Sequence, residues 1–139
     1  MFLRLEPSSG IPITRQLVDQ IRSHCASGTL SGGDRLPSVR QLAQQLAVNQ
    51  NTILRVYERL AAEGLIERKH GDGTFVVERL PPGRLKAQRE LLRQEVERLA
   101  RRAADLGTDA AEVHKLLDEA IARLSREQRA LSKGDQRDE

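Results

Sequence analysis

Four consecutive short polar side chains without charge, Asn49-Gln50-Asn51-Thr52, open a run whose apolar residues recur at helical spacing. A carboxamide holds a donor and an acceptor in one plane, so Asn and Gln can pair bidentately with the major-groove edge of adenine, whereas Thr serves a phosphate or a thymine methyl equally well. Arg55, one turn further on, suits guanine or the sugar-phosphate backbone. At the first turn of a helix the unpaired backbone N–H groups and the helix dipole add attraction for phosphate. The chemistry available here is hydrogen-bonded recognition. On an arbitrary helix, Asn49 would be an ordinary cap and its neighbours a solvated face; the choice rests on what surrounds them.

The elements on either side give that context. The helix predicted over residues 50–63 carries Ile53, Val56, Tyr57 and Leu60 on one face and is closed by Gly64. Ahead of it Ser38, followed three residues later by Gln41, makes a capping box for a shorter helix whose buried face is Val39, Leu42, Ala43 and Leu46. Only Ala47 and Val48 separate that helix from Asn49, so the pair reads as a helix-turn-helix. Residues 65–69 and 74–77 are strand-like runs around His70-Gly71-Asp72-Gly73, a hairpin turn, and a helix-turn-helix followed by a hairpin is a winged helix. Upstream, Ile13, Leu17, Ile21 and Cys25 define a first helix capped at Gly28, residues 2–5 alternate weakly as a short strand, and residues 29–37 have loop chemistry.

Pro81-Pro82-Gly83 marks a boundary, since two prolines continue neither a ladder nor a helix. Beyond it Leu85, Leu92, Leu99 and Leu106 stand seven apart, with Val96 and Ala103 between them. Gly107 and Thr108 end this helix and open another, lined by Val113, Leu116, Leu117, Ala120, Ile121 and Leu124. Such an antiparallel pair has more apolar surface than it can hide, and a second copy would cover it, through Leu92, Val96, Leu99, Leu106, Leu117, Ile121 and Leu124. The expected architecture is therefore mainly α with a small β-hairpin wing. Residues 1–80 form the winged helix-turn-helix (core 12–77, helix-turn-helix 38–63, wing 65–78), 81–131 a two-helix dimerisation tail, and 132–139 a polar, disordered end.

Composition bounds the function from the other side. Among 139 residues, 23 Lys and Arg face 20 Asp and Glu for a net charge of +3, compatible with nucleic acid without demanding it. Arg35, Arg68 and Lys69, with Ser38 and Tyr57, are candidate phosphate contacts; for the three cations an ordinary solvated charge is an equal alternative. With 2% aromatic residues and no Trp, the core must be aliphatic. The single cysteine, Cys25, sits on a core face and forms no internal disulfide, and no signal peptide or apolar run of about 20 residues is present, which places the chain in the cytoplasm, off the membrane. His24, Cys25, His70 and His114 are not spaced as metal ligands, no phosphate-binding glycine loop follows a strand, and no nucleophile, base and orienter come together in the pattern. Neither enzyme chemistry, a metal nor a cofactor is expected.

Taken together, Arg35-Leu36-Pro37-Ser38-Val39-Arg40-Gln41-Leu42-Ala43, Val48-Asn49-Gln50-Asn51-Thr52, Arg55-Val56-Tyr57, Leu60, Glu63-Gly64-Leu65-Ile66 and Gly71-Asp72-Gly73-Thr74-Phe75-Val76 resemble the winged-helix domain of the GntR family of bacterial regulators. The family pattern has Pro where Gln50 stands and Ala where Leu54 stands. The resemblance implies DNA contact by Arg40 on the second helix, base reading by the first turn of the third, and minor-groove contact by His70 and Gly71 at the wing tip. The short tail resembles the YtrA-type branch, because the larger effector or aminotransferase-like domains of other branches do not fit in the roughly 55 residues after Pro82. That likeness implies a homodimeric repressor on double-stranded operator DNA, of a transporter operon, with room for a small-molecule effector that the sequence does not identify. The rival is a winged helix that docks a protein instead; the uncharged polar cluster beside Arg40 and Arg55 suits base edges better than a dry interface.

Overall fold

The computed structural model describes Met1 and residues 3–135, the side chains to Lys133. It comprises two units, Met1–Arg89 and Glu90–Glu139. In the first, a single 3-10 turn at Pro7–Ser9 precedes α1 (Ile13–Ser27), β1 (Arg35–Leu36), α2 (Val39–Leu46), α3 (Gln50–Ala62), β2 (Ile66–Lys69) and β3 (Gly73–Val76). Helix α4 (Arg84–Asp105) starts in this unit, and α5 (Ala110–Asp135) belongs to the second.

The core is aliphatic, as the composition requires. Leu17, Val18 and Ile21 of α1, Leu42 and Ala43 of α2, and Ile53, Val56, Tyr57 and Leu60 of α3 are all buried together, with Leu65 ahead of β2 and Ile66 and Val76 of the sheet closing it. The apolar spacing on each helix converges on one seam, and α3 packs against both α1 and α2. Gly28 takes the left-handed conformation expected of a helix-ending glycine (φ +83°).

The sheet is antiparallel with the order β1-β3-β2, so the wing has three strands. The expected loop over residues 29–37 contains β1, whose Arg35 and Leu36 pair with Phe75 and Thr74. Two residues are too few to show an alternating pattern, which hid the strand. Gly32 lets the chain pass close to the segment that follows β3: a Cβ there would collide with the Glu78 carbonyl oxygen. At the other end the expected strand over residues 2–5 is absent from residues 3–5, and Phe2 lies outside the described residues. The Arg4 backbone satisfies itself on a side chain of α1 instead, donating to Gln20 Oε1 (2.8 Å) and accepting from Gln20 Nε2 (2.7 Å).

The helix-turn-helix is held by local chemistry. The capping box is present: Ser38 Oγ accepts from Gln41 N–H at 3.1 Å and Gln41 Oε1 accepts from Ser38 N–H at 2.9 Å. Helix α2 ends on Ala47 in the left-handed region (φ 54°), and the Val48 N–H returns to the Ala43 carbonyl at 3.0 Å, which satisfies a terminal acceptor and turns the chain toward α3.

In the second unit α4 and α5 are joined at Gly107 (φ +69°), and Asp109, rather than Thr108, caps α5 by accepting from Glu112 N–H at 2.8 Å. The hairpin is open: the two helices do not close on one another as α1 and α3 do, and no described residue of either is buried. Leu92, Val96, Leu99, Leu106, Leu117 and Ile121 are exposed, Leu106 by 74%, and Leu124 is half-buried. Helix α5 runs to Asp135, past the end expected at residue 131; residues 136–139 lie outside the described ones. Among the described residues no helix is long and apolar enough to cross a membrane.

Ala47 carries a Cβ where a left-handed residue costs about 1–2 kcal/mol, against about 0.4–1 kcal/mol that a glycine loses through the greater freedom of its unfolded chain. Ala47→Gly should therefore gain up to about 1 kcal/mol in urea unfolding at an unchanged slope. A lower midpoint would show that the turn stores no strain at this position.

Candidate nucleic-acid interface

The surface left by this packing is polar where α3 begins. Asn49, Gln50 and Asn51 are exposed, Thr52 is half-buried, and Arg55 and Arg40 are exposed on α3 and α2. The cap and the reading position overlap at Asn49: its Oδ1 accepts from Asn51 N–H at 2.8 Å, which leaves its amide N–H donors for other partners. The Asn51 side chain carries no such duty, and its amide projects from the first turn with both functions available. Leu54 is half-buried, so the departure from the family pattern there falls beside the packed face.

The wing and the start of α2 enclose a cleft of about 370 Å³. Arg35, Ser38, Arg68, Lys69, His70 and Gly71 all line it, so six of the sequence candidates share one place, while Arg40, Asn49, Gln50, Asn51 and Arg55 lie outside it. The cleft is basic and opens beside the capped N-terminus of α2, a combination suited to a phosphodiester. Its loop is the predicted hairpin: Lys69 pairs with Gly73, Asp72 N–H donates to the Lys69 carbonyl at 2.9 Å, and Gly71 takes a positive φ (+81°).

Phe75, which the sequence marks only as part of the wing motif and gives no role, organises this face. Strand alternation puts Arg35, Lys69 and Phe75 on one face of the sheet, opposite buried Thr74 and Val76. The Arg35 guanidinium lies 6.0 Å and the Lys69 ammonium 5.1 Å from the ring centroid, within reach of the attraction between a cation and an aromatic face. A Cβ on Gly73 would press on the Arg35 guanidinium at 3.3 Å, and glycine's φ of +121° there suits no other residue well. Without knowing that residues 35–36 form a strand, the sequence gives no reason to pair Arg35 with Phe75.

One candidate is corrected. Tyr57, proposed from the sequence as a phosphate contact, is 1% exposed, and its hydroxyl donates to the Pro37 carbonyl at 2.6 Å. Burial pushes its pKa well above the ordinary phenol value, so it remains a neutral donor. Its role is to tie α3 to the residue preceding the Ser38 cap. Cys25 is buried too, and its thiol is shifted upward by burial, which keeps it protonated despite the partly opposing charge of Arg84.

The pattern of the gntR family of bacterial regulatory proteins matches residues 13–76, the whole of the segment from α1 to the end of the wing. The HTH-type transcriptional repressor YtrA of Bacillus subtilis (strain 168) is 30% identical over 120 residues, which are 86% of this chain and 92% of that protein. Among solved structures, a GntR family transcriptional regulator from Listeria monocytogenes is similar with a TM-score of 0.59 and 28% identity, over 81% of this chain and 97% of that one. YtrA from Sulfolobus acidocaldarius, a GntR-family transcription factor, is similar with a TM-score of 0.52 and 28% identity, over 88% and 99%.

Tyr57→Phe separates the two roles considered for that residue. It should cost about 1–2 kcal/mol of folding stability, because the Pro37 carbonyl loses its donor inside the protein. The salt dependence of duplex DNA binding should not change; a slope reduced by about one unit would restore Tyr57 as a phosphate contact.

Proposed function

Because this chain belongs to the GntR family of bacterial regulatory proteins, and is thus a DNA-binding transcriptional regulator and not an enzyme, we propose that it represses transcription as a homodimer on an inverted-repeat operator. The observation that carries this reading is the exposed polar first turn of α3, in one unit with exposed Arg40 and a basic cleft under the wing. Gln50 and Asn51 read base edges in the major groove, Asn49 and Thr52 flank them, and Arg40 and Arg55 meet guanine or backbone. Arg35, Ser38, Arg68 and Lys69 hold phosphate, and His70 with Gly71 reaches the adjacent minor groove. This division of labour gives the wing and the α2 terminus affinity, and gives α3 specificity.

The exposed leucines of α4 and α5 support the dimer. Leu99 and Leu117 among them line an apolar groove of about 380 Å³ inside the Gly107 turn, together with Val96, Ala103 and Val113. A second copy laid against these helices removes that surface from water at about 25 cal/mol per Å². Two reading helices then meet major-groove faces about 34 Å apart, so half-site centres fall roughly 10 base pairs apart or one turn more. The regulated genes would be a transporter operon, as in the resemblance drawn from the sequence, and a small effector would act through the tail. A cytoplasmic location follows from such a role.

Arg40→Ala and Asn51→Ala should each weaken specific binding by about 1–3 kcal/mol and leave thermal unfolding unchanged, since both side chains are exposed. Mobility-shift titrations on the duplex protected upstream of the chain's own gene test this. Parent-like affinity in both variants would move the reading surface elsewhere. Truncation after Leu80, followed by light scattering, tests assembly: a shortened chain that stays dimeric with full operator affinity would sink the role of α4 and α5.

A further inference from the structure

At the start of α4 the chain covers a charge in preference to a leucine. The Arg84 side chain is 18% exposed, whereas Leu85, first of the heptad leucines, is 42% exposed. What receives Arg84 is Glu63, the residue that ends α3: Arg84 Nη2 lies 3.9 Å from Glu63 Oε2. That carboxylate is already engaged by α1, because Arg22 donates from Nε to Oε2 at 2.9 Å and from Nη2 to Oε1 at 2.5 Å. Arg59 stands 4.0 Å from Oε1, and Asp19 holds the remaining side of Arg22 at 2.8 Å. Three guanidiniums thus converge on one carboxylate that joins α1, the end of the reading helix and the first turn of α4.

The arrangement is not the one that packing alone would choose. Turning Leu85 inward would bury apolar surface at no electrostatic cost, and it could settle in any neighbouring depression. A charged group has fewer options: Arg84 meets the carboxylate that faces it, and in this half-buried pair that directional demand fixes registry, the best attested use of ion pairs drawn out of water. The Arg22 fork occupies both oxygens of Glu63, so Arg84 is held by charge over a longer distance. Among the described residues its Nε is the buried side-chain polar atom without a hydrogen-bond partner. The Glu63 carboxyl is held below its ordinary pKa, first by the Arg22 hydrogen bonds, so it keeps its charge at neutral pH.

We infer that Glu63 is a positioning residue for DNA binding: by fixing the first turn of α4 against the end of α3, it sets which half-site spacing the dimer accepts. The inference rests on the dimeric, DNA-binding reading above. Glu63 touches no base in this scheme. Its removal should therefore change the separation of half-sites and leave their sequence alone, an effect that a merely stabilising ion pair would not produce.

Selection from a random duplex DNA pool tests it with the full-length parent, Glu63→Gln, Arg84→Gln and Arg84→Lys. The parent should recover one half-site sequence, inverted, at a single spacing. Glu63→Gln and Arg84→Gln should recover the same half-site with loss of the single spacing, and Arg84→Lys, which keeps the charge, should restore it. If both glutamine variants keep the parent's spacing, the inference is overturned. Should Glu63→Gln lose its helical circular dichroism, Arg84→Gln, which leaves the Arg22–Glu63 pair intact, decides alone. A parent that recovers no common sequence, or only single half-sites, instead removes the reading on which the inference rests.

Discussion

Helix α3 must keep one face dry and its first turn bare, and the rest of the first unit is organised to allow both. Ile53, Val56, Tyr57 and Leu60 are buried against α1 and α2, which fixes the rotation of the helix about its axis. Once that rotation is set, Gln50 and Asn51 have no choice but to face outward. The left-handed turn at Ala47 sets where the helix begins, and the Tyr57 hydroxyl on the Pro37 carbonyl sets where the preceding helix begins. A side chain in the middle of α3 thereby controls the cap of α2, so the two helices behave as one part.

Polar groups make the connections that the small aliphatic core cannot. Gln16 and Gln20 of α1 hold the N-terminal segment by its backbone, and Glu63 gathers arginines from α1, α3 and α4. Such contacts contribute less free energy than buried leucines, but they are directional. In a domain with few aromatic residues to lock its edges, direction is what the peripheral segments need.

Most of the fold was legible in the sequence because its signals are local. The Ser38 and Gln41 capping box, the Asn49 cap, the glycine at the end of α1 and the hairpin around Gly71 each depend on residues within a few positions of one another. What was hidden depends on partners far along the chain. Strand β1 exists only because β3 lies beside it, Arg35 reaches Phe75 only through that pairing, and the N-terminal segment is irregular because Gln20 takes its hydrogen bonds. The misjudged Tyr57 is the same lesson in reverse: its amphipathic side chain and its place on α3 fit a surface contact as well as a buried donor, and Pro37, twenty residues away, decides. The open arrangement of α4 and α5 was likewise beyond a reading of heptads, since apolar spacing marks which face wants cover without saying what covers it.

The aromatic seat of Arg35 and Lys69 has a consequence for the entropy of any contact the wing makes. A free lysine or arginine surrenders up to about 2 kcal/mol of rotamer freedom when a ligand immobilises it. Here the Phe75 ring already attracts both cations, and the glycine at position 73 leaves room for the Arg35 guanidinium beside it. Part of the ordering is therefore completed during folding, before a phosphate arrives, and the entropy lost when the wing meets an anion is smaller than for two unrestrained chains.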